Sequence, residues 1–180
     1  MDGKNQESSS EDMMSAYALK MWGTVSGDGK MAARGNLQLA VMARSMQSYY
    51  LMSTDNKVQP ASYIANKVAG ILFENKADHT TFFDPNIEAV QGIHMIPIIA
   101  PSGFVRKPRF VQEEWDAFFS NKRIESVNNL WRGIIMANYA VADPMAAWQF
   151  FSRSEFQASW IDGGASLTWY MAYSAALAGA

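Results

Sequence analysis

The sequence predicts an all-α fold built from paired antiparallel helices, with an irregular or short-strand segment in the middle. Apolar residues recur at helical intervals through most of the chain, and turn-forming residues separate the periodic runs. The chain has 180 residues, of which 49% are hydrophobic and 18% charged, a composition typical of a globular domain with a sizeable core. We therefore expect a single domain over residues 1–180.

The first part of the chain is expected to form a helical hairpin. A helix is predicted from Ser8 to Trp22, with Gly23 as its stop. A turn at residues 26–29 leads into an antiparallel partner that runs to Met52. Each helix carries an apolar stripe that we expect to face the core: Met14, Tyr17, Ala18, Met21 and Trp22 in the first, and Met31, Leu37, Val41, Met42, Met46, Tyr49 and Tyr50 in the second.

The rest of the chain is less regular before it becomes helical again. Residues 58–63 and 68–73 are interpreted as short strands or a structured loop. A buried helix is predicted over residues 127–142, ended by Asp143 and Pro144. The other predicted helices cover residues 88–97, 110–120, 145–151 and 165–178.

Charge and cysteine content exclude several classes of function. The net charge is −2 without a run of basic residues, so nucleic acid is not an expected partner, and the cluster at residues 106–109 is interpreted as a solvated loop. No stretch approaches the roughly 20 apolar residues of a membrane span. The chain has no cysteine, and His79 and His94 lie in no metal-binding motif. We therefore expect no metal site.

Two glutamates four residues apart, Glu7 and Glu11, are the strongest chemical signal. Glycoside hydrolases need paired carboxylates, and this spacing would set both on one face of a helical turn. The same residues also fit a capping box, in which Ser8 caps a helix and Glu11 reaches back to the Ser8 amide. The residues alone leave both interpretations open. Since a catalytic base needs an acid partner and few residues precede Glu7, we expect the chain to be truncated.

Several blocks, in order along the chain, resemble glycoside hydrolase family 81, the endo-1,3-β-glucanases, in its fungal form. The resemblance implies about half of a C-terminal (α/α)6 toroid, with the glucan lying in a groove across it. It also implies an inverting hydrolysis that needs no cofactor. The matching blocks are Asp2–Glu11 with Ala16-Tyr17 and Trp22-Gly23, then Gly70–Asp78, Gln91–Pro97, Glu113–Trp115, Ala137–Ala140 and Trp160–Ala165.

The resemblance also implies roles for individual residues. Glu7 matches the general base, and Glu11 matches a second essential glutamate that holds the water or tunes the basicity of Glu7. The family's acid is an aspartate in an upstream segment that has no counterpart here, and Asp2 is a poor substitute because it lies only five residues from the base. The residues expected to bind substrate are Asp2, Lys4, Asn5, Gln6 and His94, although His94 also fits a core position and the three polar neighbours of the base also fit a solvated loop.

Aromatic residues and one aspartate have two interpretations each. Trp22, Trp131 and Trp148 lie on apolar helical stripes and are predicted to be core, whereas Trp115 and Trp169 are candidates for stacking on glucose. Asp162, in an Asp-Gly-Gly segment, is expected to shape a helix entry near an N-cap rather than to bind substrate.

The sequence supports three functional hypotheses. The first is an endo-1,3-β-glucanase acting on cell-wall glucan, expected from the family to be extracellular or in the cell wall. The second is a non-catalytic β-1,3-glucan-binding fragment or remnant, and the third is an inert helical fragment. Because half a ring leaves two apolar faces in water, self-association is also expected.

Overall fold

The computed structural model describes residues 5–73 and 76–179, with Asn5 described through its backbone, and it is mostly α-helical with one small three-stranded sheet. Within these two ranges, no helix combines the length and the apolar character that crossing a bilayer requires. The elements in chain order are β1 Asn5–Gln6, α1 Ser9–Val25, α2 Gly29–Tyr49, α3 Ala61–Ile64, β2 Gly70–Phe73, β3 Lys76–His79, α4 Ile87–Gly92, α5 Ser102–Val105, α6 Pro108–Phe118, α7 Arg123–Ser126, α8 Trp131–Tyr139, α9 Pro144–Phe151, a 3-10 turn Ala158–Trp160, and α10 Leu167–Ala178.

Helices α1 and α2 form the predicted antiparallel hairpin, and both begin at side-chain caps. The Ser8 hydroxyl oxygen accepts the Glu11 amide at 3.2 Å. Asp28 Oδ1 accepts the amides of Lys30 and Met31, each at 3.0 Å. Capping satisfies amide groups that a helix start otherwise leaves unpaired. The turn between the two helices is therefore confirmed.

Gly23 does not stop α1, contrary to the prediction. The helix continues to Val25, and Gly23 is buried inside it. A Cβ at Gly23 would lie 2.3 Å from the Ala32 backbone nitrogen of α2, and one at Gly35 would lie 2.4 Å from the Lys20 nitrogen of α1. Both glycines therefore serve a close approach of the two backbones.

This close approach also changes which residues of the hairpin are buried. The prediction that the large apolar stripes face the core is wrong for several residues, and Trp22 is 65% exposed. Because the two helices meet through glycines, small residues occupy their interface, and many of the large apolar side chains of the predicted stripes remain exposed to solvent. The buried set is Met13, Ala16, Leu39, Ala43, Met46 and Tyr50, whereas Met14, Met21, Trp22, Val25, Leu37, Val41 and Tyr49 are exposed.

The sheet joins the beginning of the chain to its middle. Strand β2 lies between β1 and β3, and both pairings are antiparallel. The registers pair Gln6 with Leu72 and Leu72 with Ala77. The predicted strand at residues 68–73 is therefore confirmed from Gly70 onward, whereas residues 58–60 form a loop and residues 61–63 belong to α3.

The core centres on α8, as the predicted buried helix indicated. Every residue of α8 after Trp131 is buried, although the helix is shorter than predicted. Asp143 begins α9 by accepting the Ala146 amide at 2.9 Å, with Pro144 in the first turn. Ser166 caps α10 through the Trp169 amide at 3.1 Å.

Arg106 is buried, so the interpretation of residues 106–109 as a solvated loop is wrong for this residue. Its guanidinium forms an ion pair with Glu114 at 2.5 Å and donates to Asn138 Oδ1 at 2.7 Å and to the His94 carbonyl at 3.0 Å. Burial raises the pKa of Glu114, although the charge of Arg106 opposes that shift. Arg109 is exposed and pairs with acids at the surface. The buried cluster ties α6 and α8 to the segment that carries His94.

Candidate functional site

The two glutamates of the predicted pair lie on either side of the start of α1. Glu7 precedes the capping residue Ser8, whose backbone is extended, so Glu7 is outside the helix, and the expectation of one shared helical turn is wrong. Glu11 lies in the first turn and is exposed. Ser8 caps the helix as predicted, but among the described residues no return bond joins Glu11 to the Ser8 amide. The Glu11 carboxylate is therefore available to a ligand.

Glu11 lines a groove of about 550 Å³. A second carboxylate, that of Asp162, lines the same groove. The other walls are mainly apolar and aromatic: Met14, Ile96, Pro97, Ile98, Ile99, Leu130, Trp131, Ile134, Ala165, Trp169 and Tyr170. Apolar walls with a few polar groups are typical of ligand sites.

Two tryptophans form part of the groove wall. Trp169 is 40% exposed, and its Nε1 donates to the Ile98 carbonyl at 2.8 Å, which fixes the ring. Trp131, predicted to be core, is half-buried and stacks with Phe83 at 6.2 Å between ring centroids. A Cβ at Gly92 would lie 2.4 Å from the Trp131 ring, so this glycine allows the indole to pack closely on α4. Trp115 instead stacks on Tyr139 away from this groove.

Glu7 is connected to the same wall through a short segment that sequence reasoning missed. Its Oε1 accepts the Phe82 amide at 3.0 Å. The next residue, Phe83, is the one that stacks on Trp131. Phe82 and Phe83 are 65% and 55% exposed. One segment therefore links the proposed base to an aromatic wall of the groove.

Asp162 forms the predicted tight turn ahead of α10, whose cap is Ser166, and it also lines the groove. Its Oδ1 accepts the Gly164 amide at 2.7 Å, and its Oδ2 accepts the Tyr170 hydroxyl at 3.4 Å. Burial, together with the charge of Asp162, raises the pKa of Tyr170, so the phenol remains a donor. The Asp-Gly-Gly segment signalled a tight turn, but its place in the groove depends on residues distant in the sequence.

The Gln6 side chain forms hydrogen bonds with other residues of the protein. Its amide nitrogen donates to Asp12 and its Oε1 accepts the Tyr50 hydroxyl at 2.9 Å. Burial raises the pKa of Asp12, partly offset by the hydrogen bond from Gln6. Asp12 is a third carboxylate of the motif, and sequence reasoning did not select it.

His94 lies in the core. It is fully buried, its Nδ1 contacts the Ser9 amide and hydroxyl at 3.3 and 3.0 Å, and its Nε2 contacts the Gly70 carbonyl at 3.0 Å. Burial lowers the pKa of His94 to about 3. Among the other predicted substrate ligands, Asp2 and Lys4 lie outside the described residues, and Asn5 is placed in β1.

Comparison with known proteins identifies relatives along the whole chain. The family model "Glycosyl hydrolase family 81 C-terminal domain" matches residues 1–171. A glucan endo-1,3-beta-D-glucosidase from Arthroderma benhamiae is 52% identical over 177 residues, which cover 97% of this chain and 20% of the relative. The primary septum glucan endo-1,3-beta-D-glucosidase of Schizosaccharomyces pombe is 45% identical over 176 residues, covering 98% of this chain and 17% of the relative.

A solved structure shares the fold. The chain matches a glycoside hydrolase family 81 protein from Clostridium thermocellum with a TM-score of 0.74 and 20% identity, over 97% of this chain and 24% of that protein. The chain thus spans about a fifth of the length of the curated relatives it matches.

Proposed function

The chain belongs to glycosyl hydrolase family 81, and we propose that it provides the substrate groove and the glutamate pair of an endo-1,3-β-glucanase, which hydrolyses internal bonds of β-1,3-glucan. The observation that carries this proposal is that Glu11 of the predicted pair lines a groove shared with Trp131, Trp169 and Asp162.

The groove has the chemistry that a glucan needs. A glucopyranose ring presents C–H groups on its faces and hydroxyls at its edge, so aromatic rings suit the faces and carboxylates suit the hydroxyls. Trp169 offers a partly exposed ring that its bond to the Ile98 carbonyl holds in place. Asp162 accepts hydroxyl hydrogens beside it.

In the proposed reaction, Glu7 is the general base and Glu11 positions the attacking water or assists Glu7. An inverting glycosidase also needs an acid on the opposite face of the sugar, with the carboxyl groups about 6.5–9.5 Å apart to leave room for the water. We do not assign that acid to Asp162, because its Oδ1 already accepts the Gly164 amide and its Oδ2 accepts the Tyr170 hydroxyl. The acid is not assigned within this chain.

The other residues predicted to bind glucan have different roles in this proposal. Asp2, Lys4 and Asn5 stay candidates for binding sugar hydroxyls beside the base. Gln6 contributes through its own bonds to Asp12 and Tyr50, which order the approach to Glu7. His94 acts from the core and not by contact with glucan.

We further propose that the fold is about half of an (α/α)6 toroid. The exposed apolar residues of the α1–α2 hairpin, among them Trp22, Leu37 and Val41, support this proposal because a neighbouring helix pair would cover them. The same face would favour self-association of the chain when it is alone. A location outside the cell or in the cell wall is supported by the name of the Schizosaccharomyces pombe relative, which refers to the primary septum.

A non-catalytic β-1,3-glucan-binding role is the second candidate. The specific observation in its favour is that the aromatic groove is formed within this chain, whereas the general acid is not assigned to it. Such a protein would bind the same oligosaccharide without cleaving it.

Proton NMR with a β-1,3-glucan hexasaccharide separates the two roles. Line broadening reports binding, and the first anomer released reports the stereochemistry of cleavage. We expect binding by the wild type, and release of the α-anomer if an acid is available. Glu7→Gln and Glu11→Gln should each abolish cleavage, and Glu125→Gln, an exposed glutamate outside this groove, should change neither signal. Absence of both binding and cleavage would contradict the proposed function.

A further inference from the structure

Three consecutive serines separate the two glutamates, and all three are buried. Ser8, Ser9 and Ser10 are only 8%, 2% and 3% exposed. Buried hydroxyls require hydrogen-bond partners, and here each of the three has a partner in one segment, residues 93–96, while Ser8 also accepts the Glu11 amide and contacts the Ser10 hydroxyl. Ser8 donates to the Ile93 carbonyl at 2.9 Å, and Ser10 donates to the Ile96 carbonyl at 2.5 Å.

Ser9 contacts the His94 ring, and the geometry fixes the tautomer of that ring. The Ser9 amide contacts Nδ1 at 3.3 Å, and because a backbone N–H can only donate, Nδ1 must be unprotonated. The ring hydrogen is therefore on Nε2, which donates to the Gly70 carbonyl at 3.0 Å. His94 thus connects the first turn of α1 to strand β2.

Glu7 lies between two attachments to this one strand. On one side, β1 pairs Gln6 with Leu72 of β2. On the other side, Ser9 reaches Gly70 of β2 through His94. The backbone on both sides of Glu7 is therefore tied to the same strand.

We propose that Ser8, Ser9, Ser10 and His94, together the serine–His94 clamp, fix the positions of Glu7 and Glu11, with His94 as a positioning residue that touches no substrate. This inference rests on the proposed catalytic role of the two glutamates. Small errors of placement matter in such a site, since a shift of about 1 Å can cost on the order of 100-fold in rate.

The neutral state of His94 keeps the clamp closed over a wide pH range. Burial, aided by the charge of Arg106, lowers the pKa of His94 to about 3, so Nδ1 remains an acceptor above that pH. The neighbours of the ring are Tyr50, Arg106 and His79.

The first test follows the Phe82 amide by NMR, because its bond to Glu7 reports where that carboxylate lies. His94→Phe keeps a ring but removes both hydrogen-bonding atoms. We expect the Phe82 amide to shift and to lose about 10-fold in exchange protection, the value of about one hydrogen bond, while amides of α8 stay protected. His94→Gln, which retains an acceptor and a donor, should restore most of the signal.

The other histidine provides a matched control. His79 lies near the His94 ring, but among the described residues its ring contacts the Val68 carbonyl at 3.1 Å and forms no hydrogen bond with a clamp residue, so His79→Gln should leave the Phe82 amide unchanged. A folded His94→Phe variant with a wild-type Phe82 amide would overturn the proposal. If His94→Phe does not fold, Ser9→Ala replaces it, because it removes only the hydroxyl contact to Nδ1. A smaller shift in the same direction supports the clamp, and no shift refutes it.

Binding and turnover of the β-1,3-glucan hexasaccharide separate this inference from the proposed function. If the wild type neither binds nor cleaves, the proposed function fails while the Phe82 amide still decides whether the clamp positions Glu7. If the wild type cleaves, His94→Phe should lower kcat on the order of 100-fold with little change in KM. Equal loss of kcat in His94→Phe and His94→Gln would contradict positioning through the retained hydrogen bonds.

Discussion

Two buried polar clusters meet at His94, and they differ in charge. The serine–His94 clamp is neutral, and its hydroxyls bond to backbone carbonyls. The second cluster joins Arg106, Glu114 and Asn138 through an ion pair and charged hydrogen bonds. They connect because Arg106 donates to the His94 carbonyl. One cluster lies beside the glutamate pair, and the other lies behind it in the core.

The difference shows how the two clusters should respond to loss of a partner and to acid. Substituting one residue of the neutral clamp removes only individual hydrogen bonds. Substituting one member of the ion pair leaves the other charge buried and unpaired. Acid also acts on them in opposite directions, since burial lowers the pKa of His94 and raises that of Glu114.

The largest effect is expected from removing one member of the ion pair. Glu114→Ala leaves the Arg106 guanidinium, which is 2% exposed, without its carboxylate. The free energy of unfolding should fall by about 3–5 kcal/mol. Denaturant unfolding monitored by circular dichroism measures this change.

A paired replacement sharpens the interpretation. Arg106→Met combined with Glu114→Leu removes both charges, and such exchanges are often neutral or stabilising. The double variant should therefore be more stable than Glu114→Ala, although Asn138 loses its partners. Glu125→Ala, at an exposed position, should stay within about 0.5 kcal/mol of the wild type. A double variant no more stable than the single one would argue against an unpaired charge as the cause.

The sequence predicted the helices far better than either cluster. Periodicity located the α1–α2 hairpin, because the apolar residues of such helices recur at intervals of three and four in the sequence. The clamp joins residues about 85 positions apart, and three serines in a row are typical of a solvated helix start. Arg106 looked exposed because charged side chains are seldom buried without a partner, and its partner Glu114 lies eight residues further on, in α6.

The site was predictable in its residue types but not in its geometry. The spacing of Glu7 and Glu11, with the family resemblance, identified the motif, and the structure places Glu11 in a groove. Nothing in the local pattern indicated that Asp162 would face that groove, because the two carboxylates belong to opposite ends of the chain. The prediction that Trp22 faces the core was wrong for a related reason. Gly23 beside it sets which face of α1 meets α2.

The contribution of His94 to stability should depend on pH. The folded pKa is about 3, below the ordinary 6.5, so the unfolded chain takes up a proton first as the pH falls. The stability that depends on neutral His94 is therefore full above pH 6.5 and is lost as acid is added below it. Between pH 6.5 and 4.5 this loss is about 2 kcal/mol, and His94→Gln should not show it.

Glu114→Gln should change the pH dependence of the free energy of unfolding in the opposite direction. Because burial raises the pKa of Glu114, the folded state binds its proton more readily than the unfolded state, so acid favours folding at this site. Removing the carboxyl should make the free energy of unfolding fall more steeply between pH 6.5 and 4.5 than in the wild type, whereas His94→Gln should make it fall less steeply. Unfolding free energies at both pH values decide this, and parallel slopes in the three proteins would contradict the assignment.

The smallest effect is expected within the clamp itself. Ser10→Ala removes a buried hydroxyl and leaves the Ile96 carbonyl without that donor, so stability should fall by about 1 kcal/mol. Ser15→Ala on the same helix is a matched control, because Ser15 is exposed, and its change should be within about 0.5 kcal/mol. If both variants unfold at the same denaturant concentration, the buried serines contribute no more than exposed ones, and the clamp could not hold the glutamates against the motions of the α1 terminus.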